Sequence, residues 1–224
     1  MQPSSRTRLG TRGQPEESRA AILKAAIKEF AEHGIAGART DAIAKSARVN
    51  KALLYYYFTD KEAIYEAVLD HVFKGLRDTV LPVLESEAPP RQKLLDYLGA
   101  YFDYIAANPR FPRVVQGEWI RTGTERNPQM QRIAREYFSP IYQKLGEVLR
   151  QGIIAGDFRP VDPMHVIPSI VAVIVFYFSA APVIKALMKI DPLSPERVAE
   201  RRAFVLDFIS AALSAPSSSG GDRP

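Results

Sequence analysis

The chain contains no cysteine, which excludes disulfides, thiolate nucleophiles and thiolate metal ligands. Histidine is scarce as well. His33, His71 and His165 are scattered, without the spacing that lets imidazoles share a metal ion. No glycine-rich phosphate cradle and no nucleophile elbow occurs, so no cofactor is expected and the chain does not read as an enzyme. Strand-like alternation and internal repeats are also missing, which leaves helices as the only expected elements. Met1 to Pro15 holds no apolar run and hence no signal peptide, so a cytoplasmic protein is expected.

What is present is ordinary for a globular chain. At 224 residues, 46% hydrophobic and 25% charged, it is long enough to bury a proper core. The net charge of +5 suits a nucleic-acid partner without requiring one. Residues 1–70 carry 11 Lys and Arg against 9 Asp and Glu, so any basic surface there must be local. Four segments are expected: a disordered tail over 1–15 with Arg6, Arg8 and Arg12, a DNA-binding segment over 16–60, a helical domain over 61–213, and a Ser/Gly/Pro-rich disordered tail over 214–224.

The stretch from Arg39 to Lys61, RTDAIAKSARVNKALLYYYFTDK, reads as a helix-turn-helix. Thr40 is placed to cap a helix whose apolar face is Ile43, Ala44 and Ala47. Arg48 and Val49 form the turn, and Asn50 caps a second helix in which Leu54 and Phe58 face the core. Tyr55, Tyr56 and Tyr57 point about 100° apart, so one helix face cannot bury all three. Asn50, Lys51, Ala52 and Leu53 are expected to face bases. Arg39, Thr40, Tyr55, Tyr56, Tyr57 and Lys61 are expected mainly to hold phosphates, Lys61 together with the first N–H groups of the next helix.

These residues carry a resemblance. The run from Ser18 to about Leu69 is similar to the DNA-binding domain of the TetR family of bacterial regulators. Its carriers are SRAAILKAAIKEFAEHG, TDAIAKSA, VNKALLYYYF and TDKEAIYEAVL. The family's usual string runs Ser-Lys-Gly-Thr-Leu-Tyr-x-x-Phe, followed by a Lys-Glu pair. Lys51, Leu54, Tyr55, Phe58 and Lys61-Glu62 match it, while Asn50, Ala52 and Leu53 depart from it, which leaves the operator sequence open. The resemblance implies an all-α, two-domain dimer that binds double-stranded operator DNA as a repressor. It also implies a small-molecule effector and a dimer interface made by the last two helices.

The rest of the chain reads as further helices, about nine in all. The first runs from Glu16 to His33 and ends at Gly34; the fourth runs from Asp60 to Leu81. The fifth spans Arg91 to Ala107 and the sixth Pro112 to Arg121. The seventh reaches from Pro128 to Ala155 with a kink at Pro140. Asp162-Pro163 and Ser194-Pro195 open the last two, over 163–187 and 195–213. Val166 to Ile184 lacks any formal charge, but Pro168, Ser169, Ser179 and Pro182 interrupt it, so no membrane span is expected.

A helix apolar all round is instead buried on several sides. Val171, Ile174, Val175 and Phe178, with Val205, Phe208, Ile209 and Ala212, are therefore expected to divide between the chain's own core and a second copy. Candidates for an effector pocket are Phe73, Tyr101, Phe102, Gln116, Trp119, Tyr137, Phe138, Tyr142, Phe176 and Tyr177, with Glu118, Arg121 and His165 as polar company. The rival to a regulator is a helical interaction protein without specific DNA binding.

Overall fold

The first helix, α1 (Pro15–Gly37), buries Ile22, Leu23, Ala25, Ala26 and Phe30. It breaks at Gly34, whose φ of 63° and ψ of 176° suit only glycine, in line with the expected stop. After α2 (Thr40–Ala47) and α3 (Lys51–Tyr57) comes α4 (Lys61–Leu84), which runs three residues past its expected end with Pro82 inside its last turn. Then follow α5 (Pro90–Ala107), α6 (Phe111–Arg121), α7 (Pro128–Ile133), a π-helical turn (Ala134–Phe138), α8 (Ser139–Ala155), α9 (Pro163–Ser179), α10 (Ala181–Met188) and α11 (Pro195–Leu213). This computed structural model describes residues 15–121 and 128–215, with backbone alone for 118–121. Most of both tails, Arg6, Arg8 and Arg12 included, lies outside the described residues; Pro15 already belongs to α1. Among the described residues there is no strand, only an isolated bridge between Phe158 and Ser214.

Two helices differ from their expected form, both because of proline. The seventh expected helix contains the π-turn just ahead of Pro140. Ser139 N–H reaches back to Ala134 O, and Pro140 has no N–H to offer Glu136 O, which accepts from Arg77 Nη1 at 3.4 Å. The eighth breaks at Ala180, because Pro182 cannot donate to the carbonyl four residues back; α9 and α10 meet at 59°. No single helix is long and apolar enough to cross a membrane. The capping pairs behave as expected: Asp162 Oδ1 accepts from Met164 N–H at 2.8 Å and Ser194 Oγ from Arg197 N–H at 3.4 Å.

The chain divides into two compact units. The first extends through Phe73 and also takes in α6, so it is larger than the expected 16–60 segment. In its core Phe30 meets Tyr65 edge-on at 5.0 Å, and Tyr65 Oη donates to Val114 O of α6. The second unit is built on α5, α8, α9 and α11, with Leu76, Val80 and Leu84 from the far end of α4. Its center is Leu98, Phe102, Leu145, Leu149, Ile174 and Phe178, all essentially without exposure. Val205 and Ile209 belong to this same core, along with Ile174 and Phe178. Of the residues expected to divide between core and partner, these four face their own chain.

Candidate nucleic-acid interface

Within the first unit α2 and α3 are held by short-range chemistry. Ile43, Ala44 and Ala47 are buried as their spacing requires. Thr40, however, does not cap α2. Arg39 is the N-cap residue, its own N–H donates to Glu29 Oε1 at 3.1 Å, and Thr40 Oγ1 lies 3.2 Å from Tyr55 Oη. Starting the helix one residue earlier turns the threonine hydroxyl toward α3.

The turn between the helices is a Schellman motif. Arg48 sits in the left-handed region at φ 59°, Val49 N–H donates to Ala44 O at 3.0 Å, and Arg48 N–H donates to Lys45 O at 3.2 Å. Val49 is buried beside Ala44, the apolar contact this motif favours. A side chain is strained at that φ, so Arg48→Gly is expected to raise stability by roughly 0.5–1 kcal/mol in denaturant melts. A drop in stability would show that the arginine side chain holds the turn.

Asn50 opens α3, its Oδ1 accepting from Leu53 N–H at 2.7 Å. Leu54 and Phe58 are buried, and Arg19 lies over the Phe58 ring at 5.5 Å. That anchors one side of a seven-residue helix and turns the other outward. Lys51 and Ala52 are exposed, Leu53 and Tyr57 half-buried, and Tyr55 exposed. Tyr56 stands 80% exposed, opposite the buried pair, with its ring edge-on to Tyr57 at 5.2 Å. The exposed strip is therefore a cation, a methyl group and two phenols, the chemistry that meets phosphates and groove edges.

Two ion contacts on this surface were not visible in the sequence. Lys51 Nζ lies 2.8 Å from Asp41 Oδ1 and 6.0 Å from the Tyr55 ring center. Hydrogen bonding and charge from each partner hold the Asp41 carboxyl below its usual range and push the Lys51 ammonium up, so both are ionised at neutral pH. Both side chains are more than half exposed, so the pair fixes the direction of Lys51 more than it stabilises the fold. Ten residues separate the partners, and no helical spacing predicts that α2 and α3 bring them together. Lys61 is also engaged: its ammonium donates to Ala36 O and Ala38 O, each at 3.3 Å, and so ties the α1–α2 connection to the start of α4. Asp60 Oδ1 already accepts from Ala63 N–H at 2.8 Å, occupying one of the amides expected to meet a phosphate.

The expected effector residues fall in both units. Phe73, buried, and Gln116, exposed, belong to the first unit; Tyr101, Phe102, Tyr137, Phe138, Tyr142, Phe176 and Tyr177 belong to the second. Tyr101, Phe102 and Tyr137 are buried there, and Phe138 is half-buried. Tyr142 is exposed near Pro163 O, Tyr177 Oη donates to Pro192 O at 2.6 Å, and Phe176 stands 71% exposed. The side chains of Glu118, Trp119 and Arg121 lie outside the described residues. His33, His71 and His165 are exposed and far apart in the chain, and no metal-binding group of acids or histidines occurs among the described residues.

Residues 22–68 match the family model described as bacterial regulatory proteins, tetR family, and residues 90–209 match a tetracyclin repressor-like C-terminal domain. The chain is similar to the HTH-type transcriptional repressor NicS of Pseudomonas putida, 25% identical over 196 residues, which cover 87% of this chain and 92% of that one. It is also similar to the HTH-type transcriptional repressor SCO4008 of Streptomyces coelicolor, 38% identical over 114 residues, 51% of this chain and 56% of that one. Among solved structures it resembles HlyIIR, a hemolysin II transcriptional regulator, at 27% identity and a TM-score of 0.64, covering 90% of this chain and 99% of that one.

Proposed function

Because the chain belongs to the TetR family of bacterial regulatory proteins, we propose that it is a dimeric repressor released from a palindromic operator by a small-molecule effector. The observation that carries this reading is the outward strip of α3, with Lys51, Ala52, Tyr55 and Tyr56 turned from the core while Leu54 and Phe58 hold the helix down. Asn50 and Leu53 flank the strip and would contact base edges. Arg39, Thr40, Tyr57 and Lys61 would serve the phosphates, with Lys61 exchanging its carbonyl partners or acting from a distance. The repressor role is supported by the names of NicS and SCO4008. A helical module without DNA binding has no use for an 80% exposed tyrosine beside a lysine held in direction by Asp41.

The second unit would house the effector. Only α4 among the described helices has residues in both units, so it is a continuous helix through which an effector would act on DNA affinity. A difference of about 1–3 kcal/mol in effector affinity between the two states suffices for a several-fold to hundredfold change.

A two-fold dimer presents two recognition helices, so sequences selected from random DNA are expected to be inverted repeats with half-sites about one helical turn apart or slightly more. Lys51→Ala and Tyr56→Ala are each expected to weaken the selected site by roughly 1–3 kcal/mol with helical content unchanged. Lys51→Ala also lowers the salt dependence of binding. Wild-type affinity in both variants would remove α3 from the groove.

A further inference from the structure

One strained residue beside α3 carries a side chain that is spare within the fold. Arg48 holds the turn between α2 and α3 at φ 59°, the place in a Schellman motif where glycine costs least. Among the described residues Gly34 and Gly156 fill two of the other left-handed positions, and Lys189 the third. Strain retained at a special backbone position points to a use for the side chain. Arg48 is exposed, and among the described residues its guanidinium has no ion pair, hydrogen bond or ring contact. Nor does it turn back on the end of α2, where Ala44 O and Lys45 O already accept the N–H groups of Val49 and Arg48.

The neighbouring charges are mostly engaged. From Arg39 to Lys61 the cations are Arg39, Lys45, Arg48, Lys51 and Lys61. Lys51 is paired with Asp41 at 2.8 Å, Arg39 lies in the field of the same carboxylate, and Lys61 donates to two carbonyls. Lys45 and Arg48, both exposed, are engaged by no charge or acceptor among the described residues. Asp41, Lys45 and Arg48 stand at i, i+4 and i+7 along one edge of α2, and the Asp41–Lys51 contact brings that edge against the start of α3. Arg48 lies three residues before Lys51, so their Cα atoms are at most about 11 Å apart, within the ~12 Å width of a major groove. We propose, resting on the DNA-binding reading above, that Arg48 is a further DNA contact and holds a backbone phosphate at the edge of the groove that α3 enters. A guanidinium suits that task, because its fork can meet two phosphate oxygens at once. Such a contact adds affinity and fixes register without reading sequence.

The test uses the full-length protein, a site selected from random DNA and a scrambled duplex of the same length, titrated at several salt concentrations. Arg48→Gly is expected to bind both duplexes at least about tenfold more weakly near 0.1 M salt, with the ratio between them unchanged. For a dimer with one such contact per protomer, the slope of log affinity against log salt should flatten by about 2. Arg48→Lys keeps the charge and should keep most of that slope. The glycine variant should nevertheless melt no earlier than wild type, since it relieves strain. Earlier melting would assign the side chain to the turn and overturn the proposal. So would wild-type affinity and slope in Arg48→Gly, or a loss confined to the selected site, which would mean a base contact. If Arg48→Gly binds like wild type while Lys51→Ala and Tyr56→Ala lose affinity, this contact fails and the regulator reading stands. If wild-type protein binds no DNA site selectively, the regulator reading itself fails.

Discussion

Phe208→Asp is expected to give a folded monomer whose operator affinity is lower by at least about hundredfold, the scale on which a second linked binding module contributes. Phe204 and Phe208 lie one turn apart on α11, each about half exposed, with rings stacked at 5.8 Å and 11°. Phe176 on α9 is more exposed still, and α9 and α11 pack together through Ile174, Phe178, Val205 and Ile209 on their other sides. Large aromatics exposed on two neighbouring helices mark an interaction surface. A carboxylate buried there without a partner would cost several kcal/mol, enough to separate two copies.

Val205→Asp makes the contrast. Val205 has no exposure and lies in the chain's own core, so a charge there is expected to unfold the second unit. Sedimentation, circular dichroism and operator titration on the two variants separate the outcomes. A Phe208→Asp protein that still sediments as a dimer would put the interface elsewhere.

Gly152→Ala is expected to destabilise the second unit by roughly 2–4 kcal/mol, although helix propensity alone favours alanine by about 1 kcal/mol. A methyl group at Gly152 would overlap Cδ2 and Cε2 of the Phe158 ring. The ring has little freedom to move. Phe158 is buried, its N–H and that of Asp157 both donate to Gly152 O, and Gly156 turns the chain at φ 79° between them. The same loop holds the end of α11, with Arg159 N–H donating to Leu213 O at 2.9 Å and Arg159 Nε to Ala212 O at 2.7 Å. Steric overlap therefore outweighs propensity. Denaturant melts of Gly152→Ala, Phe158→Leu and the double variant check the cause: the smaller side chain should restore part of the loss. Equal stability of Gly152→Ala and wild type would mean that the ring can swing aside at no cost.

The local signals in the sequence were reliable because they act over a few residues. Gly34 and Gly156 ended helices, Asp162 and Ser194 capped them, Asn50 opened α3, and Leu54 and Phe58 turned inward with Tyr56 outward. All of these follow from backbone geometry and a period of 3.6. The all-helical class and the helix-turn-helix were legible for the same reason. Even here a shift of one residue mattered, since Thr40 fell inside α2 and met Tyr55 instead of capping.

Contacts between distant segments were decided only in the tertiary structure. In α9 every turn is apolar, so periodicity does not distinguish Ile174 and Phe178, which face the core, from Phe176, which faces out. Lys51 meets Asp41, and α6 joins the first unit through Tyr65 and Val114, because of how helices pack. Hydrophobicity gave the chain a set of faces to bury, but it is non-directional. Which face met which neighbour depended on shape and on the hydrogen bonds that packing permitted.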